Sequence, residues 1–369
     1  MPGKVAFLGL PGGLGMGLRT GMIQRKLSSL LDVEAFSYGG KLEAIRALVR
    51  HPSLVLNTSL ELIRLRTLRV IFVEKLERIR ERVAVVHAET TPMGYAAMKF
   101  SEQSGVPYVL DLHGLWASEL RGEPHLHSDS EIALVSSIEA DVVRHASHII
   151  VVSNRMRDHV ISEYRVAPGK VTVIPNGGIV TSRRATFRLP FTLVFGGMFN
   201  YYERPEDFVA LARTMEDPSF RFWMLGYGPR KRAVLREERK APRQNFHYLG
   251  SASREVALNL FATCQAGVAP STSDVARQVA WPIKVMDYMS VGLPVIAPEV
   301  GDWAKMIRDS DAGIVTKASG AVEFMEAAKQ LRDREKWSRL SYNAVAAVRQ
   351  TYSWDLVLEP IEGVYADYR

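Results

Sequence analysis

The sequence predicts an α/β protein of two doubly wound, Rossmann-like domains facing a cleft. Three observations carry this. Short apolar runs alternate with helix-period stretches along the whole chain, the pattern of parallel sheets with crossover helices. The runs fall into two sets of about six, one set per doubly wound sheet. The length, 369 residues, exceeds what one hydrophobic core usually serves, so two cores are expected.

In the first half the expected strands are Val5–Leu10, Val33–Tyr38, Val83–His87, Val106–Leu112, His148–Val152 and Val171–Ile174. In the second half they are Thr192–Phe195, Arg221–Leu225, Phe246–Leu249, Ala266–Ala269, Pro294–Ala297 and Gly313–Thr316. Between the halves, 176–190 is rich in Gly, Ser, Thr and Arg with little apolar periodicity, and reads as a linker. The domains are therefore 1–175 and 191–350.

With 47% hydrophobic and 24% charged residues, the composition is that of an ordinary globular protein. No run approaches the roughly 18 apolar residues that a spanning helix needs. The N-terminal MPGKVAFLGLPGG reads as a strand feeding a glycine loop, not as a signal peptide. The single Cys264 excludes an intramolecular disulfide and fits a reducing cytoplasm. A formal net charge of +7 suits nucleic acid, anionic lipid or an anionic substrate. The chain has no zinc-type Cys/His spacing, no RNP-like aromatic motif and no basic tail, so nucleic acid is set aside.

Ligands of open α/β sheets sit beyond the carboxyl ends of the strands, so the residues just after strands are the candidates. Trp281–Pro298, WPIKVMDYMSVGLPVIAP, is the most informative stretch. It places Lys284 and Asp287 on the first turns of a helix that ends at Gly292, before a buried strand. A helix N-terminus offers free N–H groups and a positive dipole, which suit a diphosphate. Lys284 adds a point charge for the same phosphates. Asp287, one turn on, is a carboxylate able to accept both hydroxyls of a ribose. The pattern fits a nucleoside diphosphate, most simply a sugar nucleotide.

The remaining candidates line the other strand ends. Gly9–Gly17, including Gly15, forms a glycine loop opening a helix from about Leu18 to Leu31. Its spacing is not that of a clean dinucleotide loop, and it reads either as a cleft lining or as a tight turn. His113, following Val106–Leu112, is able to donate a hydrogen bond to a sugar hydroxyl or to a developing charge. Gly196 and Gly197 end the first strand of the second half. Arg204 precedes Pro205, a residue suited to the first helical position, and is a phosphate candidate. Gly226 and Gly228 let a flat base approach the backbone, and Tyr248 and Leu249 end the third strand. Ser271 and Asp274 follow the fourth strand. Asp309-Ser310-Asp311 reads as a turn and not as a metal site.

The segment Leu60–Val83 carries an apolar stripe of Leu65, Leu68, Phe72, Leu76, Ile79 and Val83, flanked by Arg64, Arg69, Lys75, Arg80 and Arg82. Packing on the first domain's sheet is the preferred reading. Bases bordering an apolar face also suit anionic lipid, so a peripheral membrane contact through 60–83 is the other one.

Taken together, the second half resembles the donor domain of GT-B glycosyltransferases, retaining family four in particular. The resemblance rests on a G-G strand end, an Arg-Pro helix start, G-Y-G-P, Y-L-G, A-P-S and the P-x-K-x-x-D-Y-M-x-x-G-x-P-V block. His148–Gly177 is similar to the family's segment before the hinge, and Thr351–Trp354 to its tail. The resemblance implies that 351–369 forms a helix packing back on the first domain. It implies a retaining transfer from a nucleoside diphosphate sugar to a hydroxyl of a glycan or lipid-linked acceptor, with no further cofactor and no metal. By the same resemblance Asp287 holds the ribose and Lys284 the diphosphate. Gly226, Gly228, Tyr248 and Leu249 lie near the base, Gly15 and His113 border the reacting sugar, and Gly196, Gly197 and Arg204 lie at phosphate. The family's paired acids are eight positions apart, which here falls on Val279; either Asp274 serves as the first acid through a longer loop, or that contact is missing. A non-catalytic sugar-nucleotide-binding subunit and a GT-B-like epimerase are the alternatives.

Overall fold

The computed structural model describes residues 3–9, 16–55, 59–123, 125–240 and 245–368. The chain divides into two compact units, Met1–Pro175 with Leu358–Arg369, and Asn176–Val357. Each contains one six-stranded parallel sheet.

In unit 1 the strands are β1 (Lys4–Leu8), β2 (Val33–Phe36), β3 (Val83–Glu89), β4 (Tyr108–Leu112), β5 (His148–Val151) and β6 (Val171–Val173), in the order β2-β1-β3-β4-β5-β6. The helices are α1 (Met16–Ser28), α2 (Lys41–Arg50), α3 (Leu60–Glu77), α4 (Thr90–Ser104), α5 (Trp116–Arg121), α6 (Asp129–His145) and α7 (Asn154–Tyr164). The central strands are buried on both faces, which is why they read as unbroken apolar runs in the sequence. The chain reverses its direction of winding between β1 and β3, so their carboxyl ends flank the switch point of this sheet. Glu89 and Asp111 are register partners at the ends of β3 and β4.

The stripe on α3 faces inward. Leu65, Leu68, Phe72 and Leu76 are buried, as are Ile79 and Val83 beyond the helix end. Leu65 packs in one cluster with Leu62, Ala117, Leu120, Ile132 and Val135. Burying six such side chains is worth on the order of 10 kcal/mol before chain entropy, far more than a lipid surface offers a single helix face. A lipid contact through the stripe of 60–83 is therefore corrected: those side chains are core. The helix also stops at Glu77, and Arg80–Arg82 is a short 3-10 turn leading into β3.

In unit 2 the strands are β7 (Phe191–Met198), β8 (Phe220–Tyr227), β9 (Phe246–Tyr248), β10 (Ala266–Val268), β11 (Val295–Pro298) and β12 (Gly313–Thr316), ordered β12-β11-β10-β7-β8-β9. The helices are α8 (Pro205–Thr214), α9 (Lys231–Lys240), α10 (Arg254–Phe261), α11 (Val275–Gln278), α12 (Ile283–Ser290), α13 (Gly301–Asp309), α14 (Ala321–Gln330), α15 (Arg334–Ala347) and α16 (Trp354–Val357). Winding reverses between β7 and β10, and the turns after those two strands flank the switch point. Each of the twelve expected strands overlaps an observed one.

The stretch 176–190 is tied to unit 2. Asn176 Nδ2 donates to the Trp281 carbonyl at 2.6 Å, and the Ala185 amide to the Val291 carbonyl at 2.7 Å. The tail is not one helix. After α16, which belongs to unit 2, α17 (Ile361–Val364) and a 3-10 turn at Ala366–Tyr368 belong to unit 1. Pro360 and Gly363 interrupt any longer helix in this segment. Tyr365 is fully buried in unit 1, its hydroxyl 2.6 Å from His87 Nδ1. Among the described residues, no helix is long and apolar enough to cross a membrane.

Candidate active site

Unit 2 gathers its candidates at the switch point. Gly196 and Gly197 end β7, and Gly197 is register partner of Gly226 at the end of β8. Gly226 has φ 147°, and a Cβ there would lie 1.9 Å from the Gly197 carbonyl oxygen. No side chain fits, so this glycine lets two strand ends close on each other. Gly228 is similar: a Cβ would meet the Phe199 backbone at 2.5 Å. Tyr248 caps the same corner, donating from its hydroxyl to the Gly226 carbonyl at 2.9 Å. Leu249 beside it is 43% exposed and presents a flat apolar surface at the sheet edge.

Helix α12 begins at Ile283 behind Pro282, which supplies no side-chain cap, so its first amides are not capped from Pro282. Lys284 on its first turn has its Nζ buried. Its Nζ pairs with the Glu203 carboxylate and lies 4.5 Å from the centroid of the Phe195 ring. The stem of Lys284 runs beside Gly197, where a Cβ would come within 3.4 Å of Nζ. Burial pulls the ammonium down to about 7.

Glu203 was not among the sequence candidates, although it immediately precedes Arg204. Its carboxylate, buried in the β7–α8 turn, lies between Lys284 and Arg277, whose Nη1 is 3.5 Å away. Arg277 Nε in turn donates to the buried Ser271 Oγ at 3.1 Å, and its guanidinium lies 5.2 Å from the Tyr202 ring centroid. Lys284, Gly197, Glu203, Arg277 and Ser271 thus form one constellation. The sequence spacing does not reveal it because its members come from two separate connections, those after β7 and after β10.

Asp287 is buried and held by Arg254 of α10, whose Nε lies 3.0 Å from Oδ1. Burial pushes the Asp287 carboxyl up, and the Arg254 charge works against it. Arg254 follows the Ser253 cap of α10 and was also missed. A contact spanning 33 residues leaves no local periodicity.

Two candidates are engaged elsewhere. Arg204 has φ 42° and caps α8, with Pro205 at the first helical position as expected. Its guanidinium forks onto Asp207 at 2.6 and 2.8 Å, and Asp207 Oδ2 also accepts from Ser319 Oγ at 2.6 Å. Asp274, proposed for the first acid of the paired-acid motif, is the N-cap of α11, its Oδ1 accepting from the Arg277 amide at 3.2 Å. An Asp before a short helix does this ordinarily, and the carboxylate is then directed at the backbone. Asp309 pairs with Lys305 and Asp311 with Arg339, as suits a turn.

In unit 1, Gly15 lies outside the described residues. His113 follows β4, and burial pulls its imidazole down to about 4, so the ring is neutral at pH 7 and carries one N–H. Behind it, the fully buried Asp111 takes the Arg19 fork at 2.7 and 2.8 Å. Burial opposes the Asp111 charge, but the Arg19 guanidinium outweighs it and holds the carboxyl below its usual range. Glu89, accepting from Thr20 Oγ1 at 2.6 Å, is pushed up to about 8 by burial, with the Asp111 charge adding to the effect. His87, Glu89 and Asp111 each bring one potential ligand atom within 4.8 Å of the others. Both Asp111 oxygens already accept from Arg19, so the group is an ion-pair network rather than an open cation site.

Two doubly wound units, the second with a lysine and a buried carboxylate in the first turns of a helix, are the architecture of GT-B proteins. Comparison with known proteins agrees. Residues 23–178 match Glycosyltransferase Family 4, and residues 190–334 match Glycosyl transferases group 1. The chain belongs to the GT-B glycosyltransferases of family-four type. A D-inositol 3-phosphate glycosyltransferase of Stackebrandtia nassauensis is 24% identical over 315 residues, 77% of this chain and 68% of its own. One of the same description from Acidothermus cellulolyticus is 22% identical over 311 residues, covering 77% and 67%. Among solved structures, sucrose-phosphate synthase from Thermosynechococcus elongatus has a TM-score of 0.77 at 14% identity, covering 99% of this chain and 98% of its own. Anabaena Alr3699/HepE in complex with UDP and glucose has a TM-score of 0.73 at 15% identity, covering 99% and 100%.

Proposed function

We propose that this enzyme takes a sugar from a nucleoside diphosphate sugar bound by unit 2 and transfers it, with retention, to a hydroxyl of a glycan or lipid-linked acceptor. The observation that carries the proposal is the placement of Lys284, its Nζ buried, and of the buried Asp287 three residues on, in the first turns of α12. In this reading Lys284 and the α12 amides hold the diphosphate, and Asp287 accepts the ribose hydroxyls. Gly197, Gly226, Gly228, Tyr248 and Leu249 border the nucleotide. UDP is the first nucleotide to test, because Anabaena HepE was crystallised with UDP and with UDP-glucose.

As the bond from sugar carbon to diphosphate breaks, negative charge grows on the leaving oxygen, where Lys284 and the helix N–H groups stabilise it. Glu203 is clamped between Lys284 and Arg277, which makes it a poor nucleophile. Same-face attack by the acceptor hydroxyl, its proton passing to the departing phosphate, needs no protein carboxylate. His113 contributes a neutral N–H to a sugar hydroxyl. Arg204, engaged with Asp207, would have to leave that carboxylate to reach phosphate, so Lys284 takes the larger role.

A thermal-shift screen with UDP, GDP, ADP and dTDP sugars identifies the base, because donor binding raises the melting temperature. Proton NMR of the product then reads the anomer. An α-linked donor should give an α-linked product, and an inverted product would exclude the retaining reading.

A further inference from the structure

Arg254 carries a hydrogen-bond donor that the fold does not use. Gly250, with φ 79°, turns the chain after β9, and Ser253 then caps α10, its Oγ accepting from the Val256 amide at 3.4 Å. This sets Arg254 in the first turn of α10, against Asp287 of α12. The guanidinium holds the carboxylate unevenly. Nε, at 3.0 Å, and Nη2 both donate to Oδ1, whereas Oδ2 is met only by Nε, at 3.3 Å, among the described residues. Nη1 is buried and donates to no described residue. The two side chains are 15% and 12% exposed. A charged N–H taken out of water is normally paired, so an unused one at an ion pair calls for an acceptor that the chain does not supply.

Chemistry narrows that acceptor. Nη1 shares a carbon with Nη2, which lies on Asp287, so a group accepting from Nη1 has the carboxylate close by. A phosphate or carbonyl oxygen there has no proton to give, and the carboxylate would repel it. A hydroxyl accepts from the guanidinium and donates to the carboxylate at once. We infer that Arg254 is a specificity-determining residue for the donor: its Nη1 donates to one of the two ribose hydroxyls, and that hydroxyl donates to Asp287 Oδ2. This rests on the assignment of Asp287 to the ribose under the proposed function, and it adds the residue that tells ribose from deoxyribose. A nucleotide lacking that hydroxyl would leave Nη1 without an acceptor in the bound state, which is how a polar site rejects the poorer analogue. Lysine is no substitute here, because an ammonium lacks the flat fork that engages carboxylate and hydroxyl together.

Calorimetric titration of the full chain with UDP, 2′-deoxy-UDP and 3′-deoxy-UDP at one pH tests this. One of the two deoxy nucleotides should bind about a hundredfold more weakly than UDP, having lost its hydrogen bonds to two charged groups. Arg254→Lys keeps the charge beside Asp287. It should weaken UDP about tenfold and that deoxy nucleotide by less than about twofold, so that the gap between them narrows about tenfold. A role limited to balancing the Asp287 charge would be rescued by lysine, with the gap intact, and that result would overturn the inference. So would Arg254→Lys weakening all three nucleotides alike. Equal affinity of the unaltered chain for UDP and both deoxy forms would overturn it too, whether or not the variant folds. Asp287→Asn separates the two levels of the reading. Unchanged UDP affinity in Asp287→Asn would remove the ribose assignment and the inference with it. A loss there, with the gap intact in Arg254→Lys, would remove the inference alone.

Discussion

Replacing Lys284 by Arg should free donor affinity from pH. In the unaltered chain the Lys284 ammonium is buried against Phe195, and burial pulls it down to about 7 from the usual 10.5. Only the charged form attracts a diphosphate. Below about 7 the site is loaded with its proton. Above that value, binding must draw a proton from solution, and affinity falls toward a limit of about tenfold per pH unit, equal to about 1.4 kcal/mol. One unit above the value, UDP-glucose should bind about tenfold more weakly than on the acid side, taking up close to one proton. A nucleotide sugar suits the test because it has no terminal phosphate titrating in this range. Calorimetric titrations in buffers of different ionisation enthalpy read both the affinity and the proton count. Lys284→Arg keeps its charge at every pH examined and should bind with a flat profile. Lys284→Gln should be weak throughout, matching the alkaline limit of the unaltered chain. A Lys284→Gln variant that binds UDP-glucose as tightly as the unaltered chain would refute the assignment of Lys284 to the diphosphate.

Asp287→Asn should weaken every donor alike, by about tenfold to a hundredfold, the worth of a charged hydrogen bond. Asp287→Ala also orphans the half-buried Arg254 and should lower stability by about 1–3 kcal/mol in urea unfolding, a loss that Arg254→Leu in the same chain largely restores. Donor affinities untouched by Asp287→Asn would remove the ribose contact. Glu89, raised from 4.5 to about 8, makes folding take up a proton between those values. Its stabilising contribution is complete below the lower value and is lost as pH rises through the upper one. Urea midpoints of the unaltered chain should therefore fall relative to Glu89→Gln across that window, by at most about 1.4 kcal/mol per pH unit. Equal slopes would mean that Glu89 is ionised in the folded chain.

The strands were legible in the sequence because two-sided burial writes them as unbroken apolar runs, and the turn glycines mark their ends. Lys284 and Asp287 were legible for a similar reason: helix period alone puts both on the first turns of α12. What escaped has the opposite character. Glu203, Arg277 and Arg254 act through contacts made only when separate strand ends meet. The sequence offset of Asp274 from Pro270-Ser271 suggests a ligand contact, and only the fold shows that its carboxylate caps the short helix after it. The periodicity of 60–83 was correct, but periodicity alone does not tell core from lipid.

A crystal structure of the chain with UDP tests the central claim most directly. The account predicts both ribose hydroxyls within hydrogen-bond reach of the Asp287 carboxylate and the diphosphate at the start of α12, with Lys284 Nζ turned from Glu203 toward phosphate. A nucleotide bound at any other strand end, with Lys284 still closed on Glu203, would contradict it.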